Sequence, residues 1–544
     1  MRSAMSHFGL QALLFCLEGA SAEYQLGWNH APVQKDNDAV SKNFGDVDVE
    51  LLSPAFLNPE TIPDGFANGT AGPTSDATLD FFIRNLTLHN SWMNYQVVPF
   101  LSEEGRTFPH VFLSTSKDAS AANSSDKLRV YIQGAIHGNE PAGDQGILAL
   151  LGKLDANQTW ASHLLERLDI LVLPRYNPDG VAYFQRELAT NIDPNREHTK
   201  LVRQQSRDIK RFVSRFNAHV VIDMHEYTAS NVFGGVYRHS SDVLIGSGRN
   251  LNTHVAIRNL TEDLFSAGAA ERLEAAGFRV NPYVTGPVNE TVGSPIVFEE
   301  AVTSPTSGRN AYGLTQAVAI LCEARGIRLA DQHFQRRTAS SLTMLEALLD
   351  IARDNVHDVL ATLQDSIDDF IHSNADIVLS DYQESTNRTF ALVDTRNGSI
   401  VDVPIEFLSS SPATANQTRS RPEAYLIPRN RADIADRLAL QGVDLETLAY
   451  AYAGTVEAFN VTSSHFEAEP YEALIRNRVT VAASDKVVHL PAGSFRVSTR
   501  QKNAALAFVA LEPEVAESFV TFGLIHVEAG DEYPVFREVA SSRT

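Results

Sequence analysis

The sequence predicts an α/β protein: a mixed, mainly parallel twisted sheet with helices on both faces, followed by a smaller C-terminal mixed or β-rich domain. Three observations lead there. Between residues 75 and 345, compact runs of Val, Ile and Leu alternate with helical stretches, the pattern of strands joined by crossovers. Four of those runs, Leu128–Gln133, Leu168–Leu173, His219–Asp223 and Ala317–Cys322, are compact and rich in Val, Ile or Leu, as strands covered on both faces are. Beyond residue 376 the pattern changes to short alternating segments, such as Phe390–Val393 and Ala505–Val509, punctuated by Pro491-Ala492-Gly493 and Pro513.

Taken in order, residues 1–22 read as an export signal. Arg2 is a positive start, Phe8–Leu17 a short apolar core, and Ala20-Ser21-Ala22 a small-residue cleavage site. Residues 23–74 are rich in Asn, Asp, Pro and Gly and read as an irregular lead-in or short propeptide. Residues 75–345 form the α/β domain. A helical stretch from about residue 335 to 373, with apolar residues at Leu342, Leu345, Leu348, Leu349, Val356, Val359, Leu360 and Leu363, supplies a connecting helix assigned to 346–375. Residues 376–544 make up a C-terminal accessory domain. With 544 residues, 43% of them hydrophobic, the chain has ample material for buried cores.

The net charge of −22 argues against a nucleic-acid partner, which would want clustered Lys and Arg. No apolar run reaches the ~18 residues of a membrane span. Asn-X-Ser/Thr sequons at Asn68, Asn85, Asn123, Asn157, Asn259, Asn289, Asn387, Asn397, Asn416 and Asn460 suit a secreted, N-glycosylated protein. Of the two cysteines, Cys16 leaves with the signal and Cys322 reads as a buried small hydrophobe, so the mature chain has no intrachain disulfide.

The residues able to do chemistry cluster after the predicted strands. Gly134-Ala135-Ile136-His137-Gly138-Asn139-Glu140 follows the first strand, and Pro141 suits the first turn of a helix running through Leu151. His225 and Glu323 each fall just past the carboxyl end of a strand, where an open α/β sheet forms its ligand crevice. Two His and one Glu are good zinc ligands that leave a position for water, and a further carboxylate can take that water's proton. Between them lie the turn Asn177-Pro178-Asp179-Gly180, Arg186, and Asp193-Pro194-Asn195-Arg196; arginine grips a carboxylate best, through paired hydrogen bonds.

This ordered set resembles the zinc carboxypeptidases related to carboxypeptidase A and B, over roughly residues 78–335, with Arg309-Asn310 and the Pro513 stretch nearer a secreted fungal or bacterial-type branch. The resemblance implies a carboxypeptidase-like fold and hydrolysis of the C-terminal peptide bond of peptides and proteins, through a zinc-bound water activated by Glu323. By the same resemblance His137, Glu140 and His225 hold one zinc per chain, and Arg186 stabilises the oxyanion. Asn195 and Arg196 bind the terminal carboxylate, and Tyr227 and Arg309 are further substrate-binding candidates. The pancreatic members carry a mobile tyrosine upstream of the catalytic glutamate; Ala301 and Val302 stand near that position here, leaving Tyr283 and Tyr312 as substitutes. The family's selectivity-setting position falls near Gly308 or Arg309. Two other readings use the same scaffold: a zinc-dependent deacylase of N-acyl amino acids, and an inactive carboxypeptidase-like binding protein.

Overall fold

The computed structural model describes residues 31–116 and 126–539. The predicted export signal, Cys16 and the sequon at Asn123 lie outside them. Three sheets organise the described residues. The largest has eight strands: β1 (Met93–Val97), β2 (Pro109–Leu113), β3 (Leu128–Gly134), β4 (Leu168–Leu173), β5 (Val220–Thr228), β7 (Val243–Ser247), β8 (Val280–Pro282) and β11 (Val318–Ile327), in the order β1-β2-β4-β3-β5-β11-β7-β8. Its centre, β4-β3-β5-β11, is parallel, while β1, β2 and the β11–β7 pair add antiparallel neighbours.

The four predicted strands are these four central ones. Each is buried on both faces because alternate side chains enter different cores. Val130, Ile132, Val220, Ile222, Val318 and Ile320 join one with the helices Pro141–Ala156 and Phe334–Asp354. Tyr131, Val221 and Ala319 join the other with Ile209 and Val213 of the helix Gln204–Phe216. Two strands run further than their apolar runs suggest. Pairing with β7 on one side and with each other carries β5 to Thr228 and β11 to Ile327, so His225 and Glu323 lie inside strands rather than past their ends.

The second sheet crosses the boundary drawn at residue 376. Here β12 (Ile377–Asp394) and β13 (Ile400–Arg419) pair with β6 (Tyr237–His239) and β10 (Val297–Glu300), and β9 (Val284–Thr285) completes the edge. The third sheet holds β14 (Ala424–Ile427), β15 (Glu446–Thr447), β16 (Tyr452–Phe466), β17 (Asn477–Leu490), β18 (Phe495–Ser498) and β19 (Phe536–Glu538).

Two expectations are corrected. The predicted connecting helix is two helices, Phe334–Asp354 and Val356–His372, interrupted at Asn355. Leu342, Leu345, Leu348 and Leu349 of the first share one core with Ile147 and Leu148, so it belongs to the α/β layer. The segment around Ala505–Val509 is a helix, Ala504–Leu511, buried on every side at the centre of the C-terminal core. A short, wholly apolar run has no period to tell strand from helix.

The lead-in is folded onto this body. Asp36 is buried and receives Arg325 Nη1 at 2.6 Å and Arg238 Nη1 at 3.1 Å, while Phe44 lies under the Arg325 guanidinium at 4.0 Å. Burial opposes the Asp36 charge, but His333 and Arg325 outweigh it and hold the carboxyl far below its ordinary range.

Candidate active site and metal centre

Register brings the site together. In the parallel β5–β11 pair, His225 stands directly opposite Glu323. One strand over, β3 ends at Gly134 opposite Met224, and the chain turns through His137 to Glu140, at the N-cap of the helix Pro141–Ala156. That turn fits because Gly138 lies against Gly180; a Cβ on Gly138 would come within 1.9 Å of the Gly180 carbonyl carbon. The Asn177–Gly180 turn is a helix cap: Asn177 Oδ1 accepts from Gly180 N at 2.9 Å, and its Nδ2 donates to the Glu187 carbonyl at 2.9 Å, which fixes the backbone beside Arg186.

His137, Glu140 and His225 converge, with one ligand-type atom from each within 4.8 Å of the others, all buried. His137 Nδ1 is 2.6 Å from Glu140 Oε1, and His225 Nδ1 is 2.9 Å from Glu140 Oε2. Each imidazole turns its other nitrogen to a buried carboxylate. His137 Nε2 meets Asp193 Oδ1 at 3.1 Å, and His225 Nε2 lies 3.2 Å from Asp223 Oδ2, out of line for a hydrogen bond. Asp223 Oδ1 accepts from Gln133 Nε2 at 2.8 Å.

Two neutral imidazoles and a carboxylate suit zinc, and carboxylates behind the imidazoles select the tautomer that leaves Nδ1 free to ligate. The electrostatics agree. Burial works against charge on Glu140, yet His137 and His225 hold it below its ordinary range. Burial would equally keep His225 neutral, yet Asp223 and Glu140 raise its affinity for a proton. Carboxylates packed this closely call for a cation among them.

Glu323 differs from Glu140 in having few partners. It is buried, its Oε2 has no hydrogen bond, and burial pushes its pKa up to about 8, with Glu140 adding and His225 opposing. A divalent cation nearby would bring it back down. Arg186 donates through Nε and Nη2 to Asp193 Oδ2, at 3.1 and 2.8 Å, and its Nη1 lies 3.1 Å from His137 Nδ1.

His137, Glu140, Arg186 and Glu323 open on one pocket of about 430 Å³, which Asn195, Arg196, Tyr227, Tyr283 and Arg309 also line. Asn195 Oδ1 accepts from Gly308 N at 2.7 Å, tying its loop to the segment that carries Arg309. Arg309 donates to the Val302 carbonyl at 3.1 Å and stacks over Tyr283 at 5.4 Å. Glu300, a potential partner for it, is paired with Arg249 instead. Tyr227 is on the wall, but its hydroxyl is committed to the Ser241 carbonyl. Of the two substitute tyrosines, Tyr283 lines the pocket, while Tyr312 is buried away from it and donates to Gln133 Oε1 at 3.1 Å. Cys322 is buried, with its thiol raised by desolvation.

Four residues here had no assigned role in the sequence reading. Asp223 had a visible signal, since i and i+2 on a strand share a face and Asp223 precedes His225 by two. Asp193 heads the same short stretch as Asn195 and Arg196. Tyr471 and Glu517 also line the pocket but come from the C-terminal region, and nothing in their neighbourhoods marks them.

A buried cluster of two imidazoles and a carboxylate, beside a spare carboxylate at the head of an α/β sheet, defines the class as metal-dependent hydrolases. Comparison narrows it. Residues 96–243 match the family model described as "Zinc carboxypeptidase". Carboxypeptidase 2 of Trichophyton equinum is 51% identical over 518 residues, covering 94% of this chain and 96% of its own length. Carboxypeptidase 2 of Trichophyton rubrum is 49% identical over 516 residues, with the same shares of both chains. The chain belongs to the zinc carboxypeptidase family. A solved metallo-carboxypeptidase from Burkholderia cenocepacia is 15% identical, with 52% of this chain and 70% of that one covered at a TM-score of 0.39.

Proposed function

We propose that this protein is a secreted, zinc-dependent carboxypeptidase that removes single residues from the C-termini of peptides and proteins. One observation carries the reading: the paired register of His225 and Glu323, with His137 and Glu140 converging on it, in a pocket shared with Asn195 and Arg196. His137, Glu140 and His225 are the ligands of one zinc. Bound there, zinc supplies a Lewis acid that polarises a carbonyl and acidifies water.

The remaining work falls to side chains of the chain. Asn195 and Arg196 hold the substrate's terminal carboxylate, which restricts cleavage to the last residue. Arg186, positioned by Asp193, gives positive charge to the oxygen that becomes anionic as the carbonyl is attacked. Glu323 removes the proton from the attacking water and returns it to the departing amine, the two halves of general acid–base catalysis. Arg309, with no carboxylate partner among the described residues, offers a cation to an acidic terminal side chain.

Export is supported by the Arg2, Phe8–Leu17 and Ala20–Ala22 pattern. N-glycosylation is supported by exposure: among the described residues, Asn68, Asn85, Asn157, Asn259, Asn289, Asn387, Asn397, Asn416 and Asn460 are all exposed. No helix among the described residues is long and apolar enough to cross a membrane.

The test is mass spectrometry of a mixed peptide pool after incubation with the zinc-loaded protein. Free-acid peptides should shorten one residue at a time from the C-terminus, and amidated copies should persist. Internal cleavage, or turnover confined to N-acyl amino acids, would overturn the proposal.

A further inference from the structure

One wall of the pocket comes from outside the α/β layer. Tyr471 sits at the tip of the β16–β17 hairpin, and Glu517 follows the helix Ala504–Leu511; both line the pocket together with Arg196, Ser304 and Arg309. The tip is a built structure. The hairpin pairs down to Phe466 opposite Asn477. Beyond that, Tyr471 and Leu474 exchange backbone hydrogen bonds at 2.8 and 3.0 Å. Arg476 stacks on the Tyr471 ring at 4.3 Å and is itself held by Glu467 at 2.7 Å. Glu472 and Ala473, between them, adopt φ values of 50° and 62°, the left-handed region that L-residues with a Cβ enter at a cost. Backbone strain of this kind persists where the surroundings over-determine it, and it concentrates at working sites.

The surroundings do so here. Asp193 N donates to Glu472 Oε2 at 2.8 Å. The carboxylate of that same Asp193 holds Arg186 and faces His137. The C-terminal region grips the other pocket loops in the same way. Glu517 accepts from the Ser304 hydroxyl and from Thr306 N, and Arg437 donates to the carbonyls of Lys200 and Leu201, just after Asn195 and Arg196. Tyr471 is half-buried and near enough to Arg196 for that guanidinium to act on its phenol.

We propose that the C-terminal β-rich region is a working part of the substrate pocket. Tyr471 is a specificity-determining residue that contacts the substrate's terminal residue beside Arg196, and Glu472 is a positioning residue that acts through Asp193. The inference rests on the reading of the pocket as the binding place of a peptide C-terminus. The phenol is suited to donate to a carboxylate already paired with Arg196, and the ring to cover the stem of the terminal side chain. Glu472 needs only an acceptor oxygen, because its partner is a backbone N–H.

The experiment uses full-length, zinc-loaded protein with free-acid peptides differing only in the last residue, and variants Tyr471→Phe, Tyr471→Ala, Glu472→Gln and Glu472→Ala. Loss of one hydrogen bond to a charged acceptor should raise KM in Tyr471→Phe by about 10–150-fold with kcat little changed. Tyr471→Ala should also reorder the preference among terminal residues. Glu472→Ala should lower kcat, while Glu472→Gln, which keeps an acceptor oxygen, should restore it. If the folded variants match wild type in KM, kcat and ranking, the hairpin tip is structural only and the inference fails. Tyr471→Phe keeps shape and packing, so it decides the matter even if Tyr471→Ala does not fold. A wild type that trims no free-acid peptide at all is a different failure: the reading of the pocket falls, and this inference goes with it.

Discussion

The strands that carry His225 and Glu323 are buried along almost their whole length, whereas β12 and β17 are long ribbon strands whose middle stretches face solvent, paired with β13 and β16. Burial on both faces gives the first region a fixed register and a poorly hydrated environment. Those are the conditions under which two neighbouring carboxylates diverge, Glu140 pulled down and Glu323 pushed up. A ribbon cannot shift protonation this way along its exposed length, but it can carry a tip such as Tyr471–Leu474 far from its own core and across a neighbour's pocket. The chemistry therefore belongs to the sheet and the shape of the pocket partly to the ribbons.

The largest effect that could break this division concerns the metal. His225→Ala, or chelation of the wild type, should reduce activity to background and strip the zinc, read as bound metal per chain. Retention of full zinc by His225→Ala would remove His225 from the ligand set. Next comes Glu323→Gln, which keeps size and removes the proton acceptor. It should lower kcat by about 10²–10⁴-fold with zinc still bound. Any change in the ribbons that costs kcat as much as this one would abolish the proposed separation of roles.

Arg309→Ala sharpens the comparison from the pocket side. If the guanidinium meets an acidic terminal side chain, peptides ending in Glu should be favoured over those ending in Leu or Lys, and the variant should lose that preference by about 2–5 kcal/mol in kcat/KM. An unchanged ranking assigns selectivity elsewhere, with Tyr471 the next residue to change.

The smallest effect is on stability. Lys210 is buried with no hydrogen-bond partner for Nζ, which sits over the Tyr312 ring at 4.8 Å. Burial lowers its pKa from 10.5 to about 8. Below about 8 the folded and unfolded chains both carry the proton, and the folded one bears a buried cation. Between about 8 and 10.5 only the unfolded chain binds it, so stability rises with pH across that window. Lys210→Met should therefore stabilise the protein at pH 7 by roughly 1–3 kcal/mol and flatten that rise, measured as melting temperature against pH. A melting temperature unchanged at every pH would mean the ammonium is better solvated than its burial implies.

The difference between the regions also explains what could be read in advance. Central parallel strands announce themselves, because burial on both faces makes Leu128–Gln133 or Leu168–Leu173 dense in Val, Ile and Leu. The site residues at their ends inherit that visibility, and His137, Glu140, His225 and Glu323 do meet. The far ends of β5 and β11 were hidden because they hold His225, Glu226, Glu323 and Arg325, buried polar side chains that break the apolar pattern. The ribbons were hidden for the opposite reason, since their exposed stretches carry no apolar pattern. Ala505–Val509 misled because a short buried helix and a buried strand demand the same side chains. Nothing local to Tyr471 or Glu517 could reveal a pocket assembled across more than 250 residues of chain.

The Asp36 clasp bears on how such an enzyme is matured. Arg325 stands two residues beyond Glu323 on β11, and Asp36 supplies its countercharge together with that of Arg238. A processing protease cutting anywhere after Asp36 would strand both guanidinium groups without their carboxylate, a loss of about 3–5 kcal/mol for a buried pair broken from one side. It would also leave a free cation two residues from Glu323. The expected active product therefore keeps its lead-in from Asp36 onward, which N-terminal sequencing of the secreted protein would check. A segment that reads in the sequence as an irregular lead-in or short propeptide is, at Asp36, clasped to the strand on which Glu323 stands.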